Sequence, residues 1–301
     1  MTKKTLYLLG IIITILLGTY FFMTCCSCCE ETTEITETKV VEESLPETTA
    51  YPFKFSDGSF SYDTNDNFNF NRSSSSILMP LSAKVTEGIG GIKTHLGENA
   101  RKVFDITGFY TSDEANKSAF PNLGIARANA IKNHLVAQGI PSSSLNILGA
   151  LKEDMISSSE NVFLGPVSYA FSNEHEDLED EMKALYDKIK ADPLVLYFNT
   201  GEASINLSAD ERQKIANISK YLDKVAGANC SVVGHTDSQG NRITNIGLGQ
   251  ERADFAKQYL SDNGIEASKI IATSKGPDTP IATNDTEEGR SQNRRTVITL
   301  N

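Results

Sequence analysis

Two stretches of this chain set out strand and helix signals in the same order, and a repeat of that kind limits the architectures open to it. The first copy opens at Asn67-Phe68-Asn69-Phe70-Asn71 and continues with a helical stretch over about 81–96. The strand Val103-Phe104-Asp105-Ile106-Thr107-Gly108 follows, then a helix from Asn122 to Gly139, then Leu145-Asn146-Ile147-Leu148. The second copy opens at Val195-Leu196-Tyr197-Phe198-Asn199, with a helix over about 209–225 behind Ser208 as N-cap. Ile215, Ile218 and Leu222 recur at i, i+3, i+7, the stripe of a helix with one buried face. The strand Ser231-Val232-Val233-Gly234 leads to a second helix carrying Leu248, Arg252, Phe255 and Tyr259, which stops at Asn263-Gly264. Ile270-Ile271-Ala272 and a terminal strand from Thr296 to Leu300 complete the pattern. Each copy reads βαβαβ, and the second gains a last strand. The expected fold is α+β: two tandem sandwich domains, each with helices packed on one face of a mixed sheet.

The boundaries follow from composition. Residues 51–172 hold the first copy and 193–301 the second. Between them 173–192 is highly charged, with Leu178, Met182, Leu185 and Ile189 at helical spacing, and reads as a helical connector. Residues 30–50 are an acidic, Thr-rich linker. Residues 1–29 read as a membrane anchor. Lys3 and Lys4 precede an uncharged run from Thr5 to Thr24, about 20 residues or roughly 30 Å as a helix, enough to span a bilayer. The lysines favour a cytoplasmic N-terminus. The domains are then exported, and the expected home is a bacterial cell envelope with both domains in the periplasm. A lipoprotein signal is the alternative, because Cys25, Cys26, Cys28 and Cys29 follow the run, although Phe22-Met23-Thr24 is a poor lead-in for lipidation.

The formal net charge is -11, so no basic field exists to attract nucleic acid. Cys230 stands alone in the folded part, which excludes an intramolecular disulfide framework there. No His-x-x-x-His spacing occurs among the four histidines, and Cys-x-x-Cys spacing occurs only inside the Cys25–Cys29 cluster, where four cysteines in five residues cannot easily wrap one tetrahedral ion, so neither a metal nor a cofactor is expected. His235 has no serine, cysteine or second histidine at a matching distance to form a triad. The chain is therefore not expected to be an enzyme.

One set of blocks carries chemistry. Gly234-His235-Thr236-Asp237 is followed by Asn245, by Leu248 with Arg252-Ala253, by Pro280-Ile281-Ala282, and by Gly289-Arg290-Ser291-Gln292-Asn293-Arg294-Arg295. In this order and at these separations the blocks resemble the OmpA-like C-terminal domain, the peptidoglycan-associating module, over about 193–301. The resemblance implies a site for the diaminopimelate residue of the peptidoglycan stem, formed by Asp237, Arg252, Asn245, Arg294, Gln239 and Thr236. The chemistry is consistent: the side-chain end of that residue carries an ammonium and a carboxylate on one carbon. Asp237 at a strand end can take the ammonium, and the planar fork of Arg252 on the next helix can hold the carboxylate. A glycine at position 201, where the family often has Asn, puts one contact in doubt.

The expected function is non-covalent tethering of a membrane to the cell wall. The first copy keeps the helix opening Leu123-Gly124-Ile125-Ala126-Arg127-Ala128 but has Gly108-Phe109-Tyr110-Thr111 where the second has its acid. Unless Asp113 substitutes, Arg127 lacks a partner, so 51–172 reads as a spacer or as the docking domain of an envelope scaffold or sensor. A motor stator subunit has a similar layout but needs a carboxylate in its membrane helix, and residues 5–24 contain none.

Overall fold

A computed structural model describes residues 13–21, 47–174, 176–197 and 207–301. Residues 13–21 are helical (α1), and among the described residues no helix is long and apolar enough to cross a membrane. The remainder of the expected span 5–24, the cysteine cluster and most of the acidic linker lie outside the described residues. Residues 46–301 form one compact unit.

The first half begins with an aromatic hairpin, β1 (Phe53–Asp57) and β2 (Phe60–Thr64), followed by β3 (Phe70–Asn71) and α2 (Ala83–Glu98). Then come β4 (Lys102–Tyr110), α3 (Leu123–Ala137), β5 (Leu145–Leu151), β6 (Val162–Phe163) and β7 (Val167–Asn173). Central β4 pairs parallel with β5 and antiparallel with β7. Alternation on β4 sends Phe104 and Ile106 to the core, where they meet Val85, Ile89 and Ile92 of α2 and Ile131 and Leu135 of α3. The expected opening strand of this copy is corrected. Asn67–Asn71 does not join the sheet; only Phe70 and Asn71 are strand, and they pair with β6 in a separate two-stranded ladder. The left-handed Ser73 (φ 59°) turns the chain away before a longer strand can form. The third strand of the first sheet is β7 instead.

The charged connector is α4 (Leu178–Ala191), buried through Met182 and Ile189. The second half follows as β8 (Leu194–Tyr197), α5 (Ala209–Lys224), β9 (Cys230–His235), α6 (Arg242–Asp262), β10 (Ile270–Gly276), α7 (Glu287–Asn293) and β11 (Arg295–Leu300). Its strand order is β10-β9-β11-β8, with β9 parallel to β10 and antiparallel to β11. The central strand thus has the same neighbours, in the same directions, as β4. Ser208 and Glu211 form a reciprocal capping box that starts α5, which stabilises a helix end by about 0.5–2 kcal/mol. Cys230, Val232, Ile298 and Leu300 line one face of the sheet against Ile215, Ile218 and Leu222 of α5 and Ala256 and Leu260 of α6. Full burial contributes about 1.5–3 kcal/mol for each large aliphatic side chain.

The halves are joined by specific contacts. Ala119, from the loop before α3, is fully buried in the second half's core, and its N–H donates to Asn263 Oδ1 at 2.9 Å. Asn129 Nδ2 donates to the Asn263 carbonyl at 3.0 Å, and Lys132 pairs with Asp223. Gly264, at φ 92°, ends α6 where a Cβ would lie 2.1 Å from Asn133 Nδ2.

Candidate functional site

The site is set by how closely α6 lies on β9. A Cβ on Gly234 would fall 1.8 Å from the carbonyl oxygen of Gly249, so glycine is required at this crossing. One helical turn further on, that approach brings Arg252 to the end of β9, where its Nη1 donates to the His235 carbonyl at 3.1 Å. Burial and the charge of Arg294 push the Arg252 pKa down, against the pull of Asp237. Two guanidiniums therefore share the field of one carboxylate.

Asp237 follows β9 directly. Its Oδ1 accepts from the Gln239 N–H at 3.0 Å and its Oδ2 from Arg294 Nη1 at 2.9 Å. Both side chains are largely buried, 14% exposed for Asp237 and 11% for Arg294. The loop is held from α6: Asn245 Nδ2 donates to the Gln239 carbonyl at 2.9 Å and to that of Asp237 at 3.4 Å. Asn241 caps α6 by accepting from the Ile243 N–H, and Gly240 at φ 88° makes the turn between them. Thr236 is buried; its N–H donates to the Gly276 carbonyl and its hydroxyl to the Asp237 carbonyl. Asp237, Arg252 and Arg294 thus converge, Asn245 and Thr236 shape the loop, and Gln239 contributes through its backbone. Asn199 and Gly201 lie outside the described residues.

His235 is structural in its contacts. Its Nδ1 lies 2.9 Å from Thr279 Oγ1, and burial together with the charges of Arg295 and Lys275 lowers its pKa to about 4. In the Asn293-Arg294-Arg295 block the outer two residues brace the neighbouring loop. Asn293 Oδ1 accepts from the N–H groups of Ile281 and Ala282, and Arg295 donates to the Thr279 carbonyl at 3.1 Å.

The sequence did not expose Glu287. From the first turn of α7 its Oε1 accepts from Arg294 Nη2 at 2.8 Å. One of three acids, Asp285, Glu287 and Glu288, in a loop-rich stretch gives no periodic signal, and α7 was not expected as a helix. Cys230 is buried, which raises its thiol pKa to about 11. Among the described residues no cluster of three or more His, Cys, Asp or Glu side chains is placed to hold a metal.

The corresponding point of the first half corrects an expectation. Gly108 and Gly124 make the same close crossing of strand and helix, with a Cβ on Gly108 at 2.1 Å from the Gly124 carbonyl. Arg127 is fully buried, and it does have a partner. That partner is Glu114, whose Oε2 accepts from Arg127 Nη1 at 3.0 Å and whose Oε1 accepts from Nη2. Glu114 also accepts from the N–H groups of Thr111 and Ser73. Arg127 Nε and Nη1 donate to the carbonyls of Ser74 and Phe109, and its guanidinium lies 5.7 and 5.3 Å from the rings of Phe70 and Phe163. Asp113 turns instead to Arg72 and Thr111. The turn from Thr111 to Glu114 points the later acid inward, which spacing alone could not decide.

The sequence matches the OmpA family over residues 197–294. It is 31% identical over 120 residues to a peptidoglycan-associated lipoprotein of Buchnera aphidicola, covering 40% of this chain and 68% of that protein. It is 33% identical over 145 residues to the probable lipoprotein YiaD of Escherichia coli, covering 45% of this chain and 65% of that protein. The chain therefore spans just under two thirds of the length of this second relative. Among solved structures, the peptidoglycan-associated lipoprotein of Burkholderia pseudomallei aligns at 26% identity and a TM-score of 0.33, covering 36% of this chain and 89% of that one. By sequence and by the order of its site blocks, this chain belongs to the OmpA family.

Proposed function

We propose that this protein binds peptidoglycan non-covalently, through the diaminopimelate of the stem peptide, and tethers a membrane to the cell wall without acting on the wall as an enzyme. The observation that carries the reading is the convergence of Asp237, Arg252 and Arg294 at the end of β9. Arg252 and Arg294 flank Asp237, and in this reading the ligand's carboxylate binds to the planar fork of Arg252. The ammonium on the same carbon then meets Asp237, whose oxygens accept one hydrogen bond each and retain lone pairs. Charge-assisted hydrogen bonds contribute about 1.5–3 kcal/mol each, so two or three suit a reversible contact of roughly micromolar to millimolar strength. The name of the Buchnera aphidicola relative, a peptidoglycan-associated lipoprotein, agrees with peptidoglycan as the partner.

In this reading 193–301 carries the grip, 173–192 connects, and 51–172 is a supporting domain. The closed Arg127–Glu114 pair favours that supporting role over a second wall site. Residues 1–29 hold the protein to a membrane, by a retained helix or by lipidation at the cysteine cluster; the lipoprotein relatives favour lipidation.

The test is co-sedimentation of the full chain with purified wall sacs, wild type against Asp237→Ala and Arg252→Ala. Each variant is expected to lose binding by about 10- to 100-fold. Unchanged binding in both refutes the site, and release of soluble muropeptides by the wild type refutes the non-enzymatic reading.

A further inference from the structure

Arg294 is shared between two carboxylates, and only one of them faces the ligand site. Its Nη1 reaches Asp237 at 2.9 Å and its Nη2 reaches Glu287 at 2.8 Å. Glu287 is held in turn. Thr286 caps α7 by accepting from the Gly289 N–H, and a Cβ on Gly289 would lie 2.0 Å from the Thr283 carbonyl, so the first turn is seated tightly on the preceding loop. The other Glu287 oxygen accepts from Arg290 Nε at 2.9 Å, and Arg290 Nη1 is tied to the Asn284 carbonyl at 2.9 Å. The same loop meets the site directly, because Asn284 Oδ1 accepts from the Ser238 N–H at 3.1 Å. The charges therefore alternate along one line: Asp237, Arg294, Glu287, Arg290.

A guanidinium fork prefers to grip one carboxylate with both arms. Here one arm is drawn outward, and Asp237 receives a single hydrogen bond from it. We propose that Glu287 is a positioning and specificity-determining residue: by holding the second arm of Arg294, it leaves Asp237 with the charge and the lone pairs to recognise the ligand's ammonium. This rests on the reading of the site given above. Without Glu287 the fork is free to close on both Asp237 oxygens, and the site keeps its attraction for carboxylates while losing its attraction for an ammonium.

The prediction is read from titrations of the full chain with meso-diaminopimelate and with pimelate, the same dicarboxylate without ammonium groups. Glu287→Gln is expected to weaken meso-diaminopimelate about fivefold and to leave pimelate unchanged or slightly tighter. Glu288→Gln removes a carboxylate from the same helical turn but not from the Arg294 pair, and is expected to change neither. Equal weakening of both ligands by Glu287→Gln makes the residue a mere staple for α7 and overturns the proposal, as does no change in either. A wild-type protein that binds no meso-diaminopimelate refutes the underlying site, and this inference with it.

Discussion

Arg127 and Arg252 occupy matching places in the two halves. Each sits about one helical turn beyond a glycine that lets its helix press on the central strand. Their surroundings differ in one respect: the first arginine is closed in by Glu114, Phe70 and Phe163, whereas the second shares a carboxylate with another cation. The first half has built the anion into its own chain. The second sets Arg252 beside Asp237 and Arg294, the point proposed above for the ligand. The strand–helix frame thus positions a cation in both halves, and the loop after the strand supplies the acid that lies near it.

The strongest way to break this comparison is to empty the first site. Removing one partner of a buried ion pair costs about 3–5 kcal/mol, so Glu114→Ala should lower the unfolding free energy by that order, measured by chemical denaturation. Wall binding per folded molecule should stay at the wild-type level. If binding changes severalfold while the protein remains folded, the first half is more than a support. A smaller effect is expected at the glycine crossings, where overpacking costs about 1–3 kcal/mol. Both Gly108→Ala and Gly234→Ala should lower the melting temperature, but only Gly234→Ala should reduce sac binding, because only that crossing adjoins the proposed wall site. Equal loss of binding from the two would erase the distinction.

The smallest effect concerns acid. Each half has a histidine whose pKa is lowered by burial, His134 in α3 and His235 in β9, and His235 is lowered further, to about 4, by Arg295 and Lys275. The unfolded imidazole binds a proton near pH 6.5 while the folded one resists it, so these contributions are complete above that pH and are lost as the pH falls towards 4. For His235 the loss is on the order of 2 kcal/mol by pH 5. His235→Asn should flatten the stability profile between pH 6.5 and 4 more than His134→Asn does. The reverse order would show that the buried charge lies in the other half.

The residues proposed to face the ligand were singled out in the sequence because several blocks stand in a fixed order, and Asp237, Arg252 and Arg294 do lie together. The second copy's strands and helices were legible from their periodicity. Two kinds of information were not. Asn67–Asn71 has the alternation of a strand, but alternation says which face a residue takes, not which neighbour the strand finds, and Phe70 found β6. The side-chain partners of the arginines were also hidden. Glu114 depends on a turn of four residues, and Glu287 on a short helix whose local signals are a threonine cap and a close-packed glycine.

Ala119 is a small side chain with a large consequence. It comes from the first half but is fully buried among Leu260, Ile265 and the other apolar groups of the second, and Asn263 grips its backbone. The divide between the halves in the sequence is therefore crossed, at this one residue, in the core. A protease that nicked the chain between β7 and α4 would leave two pieces still held through Ala119, Asn129 and Lys132, and the C-terminal half would not be shed as a free module.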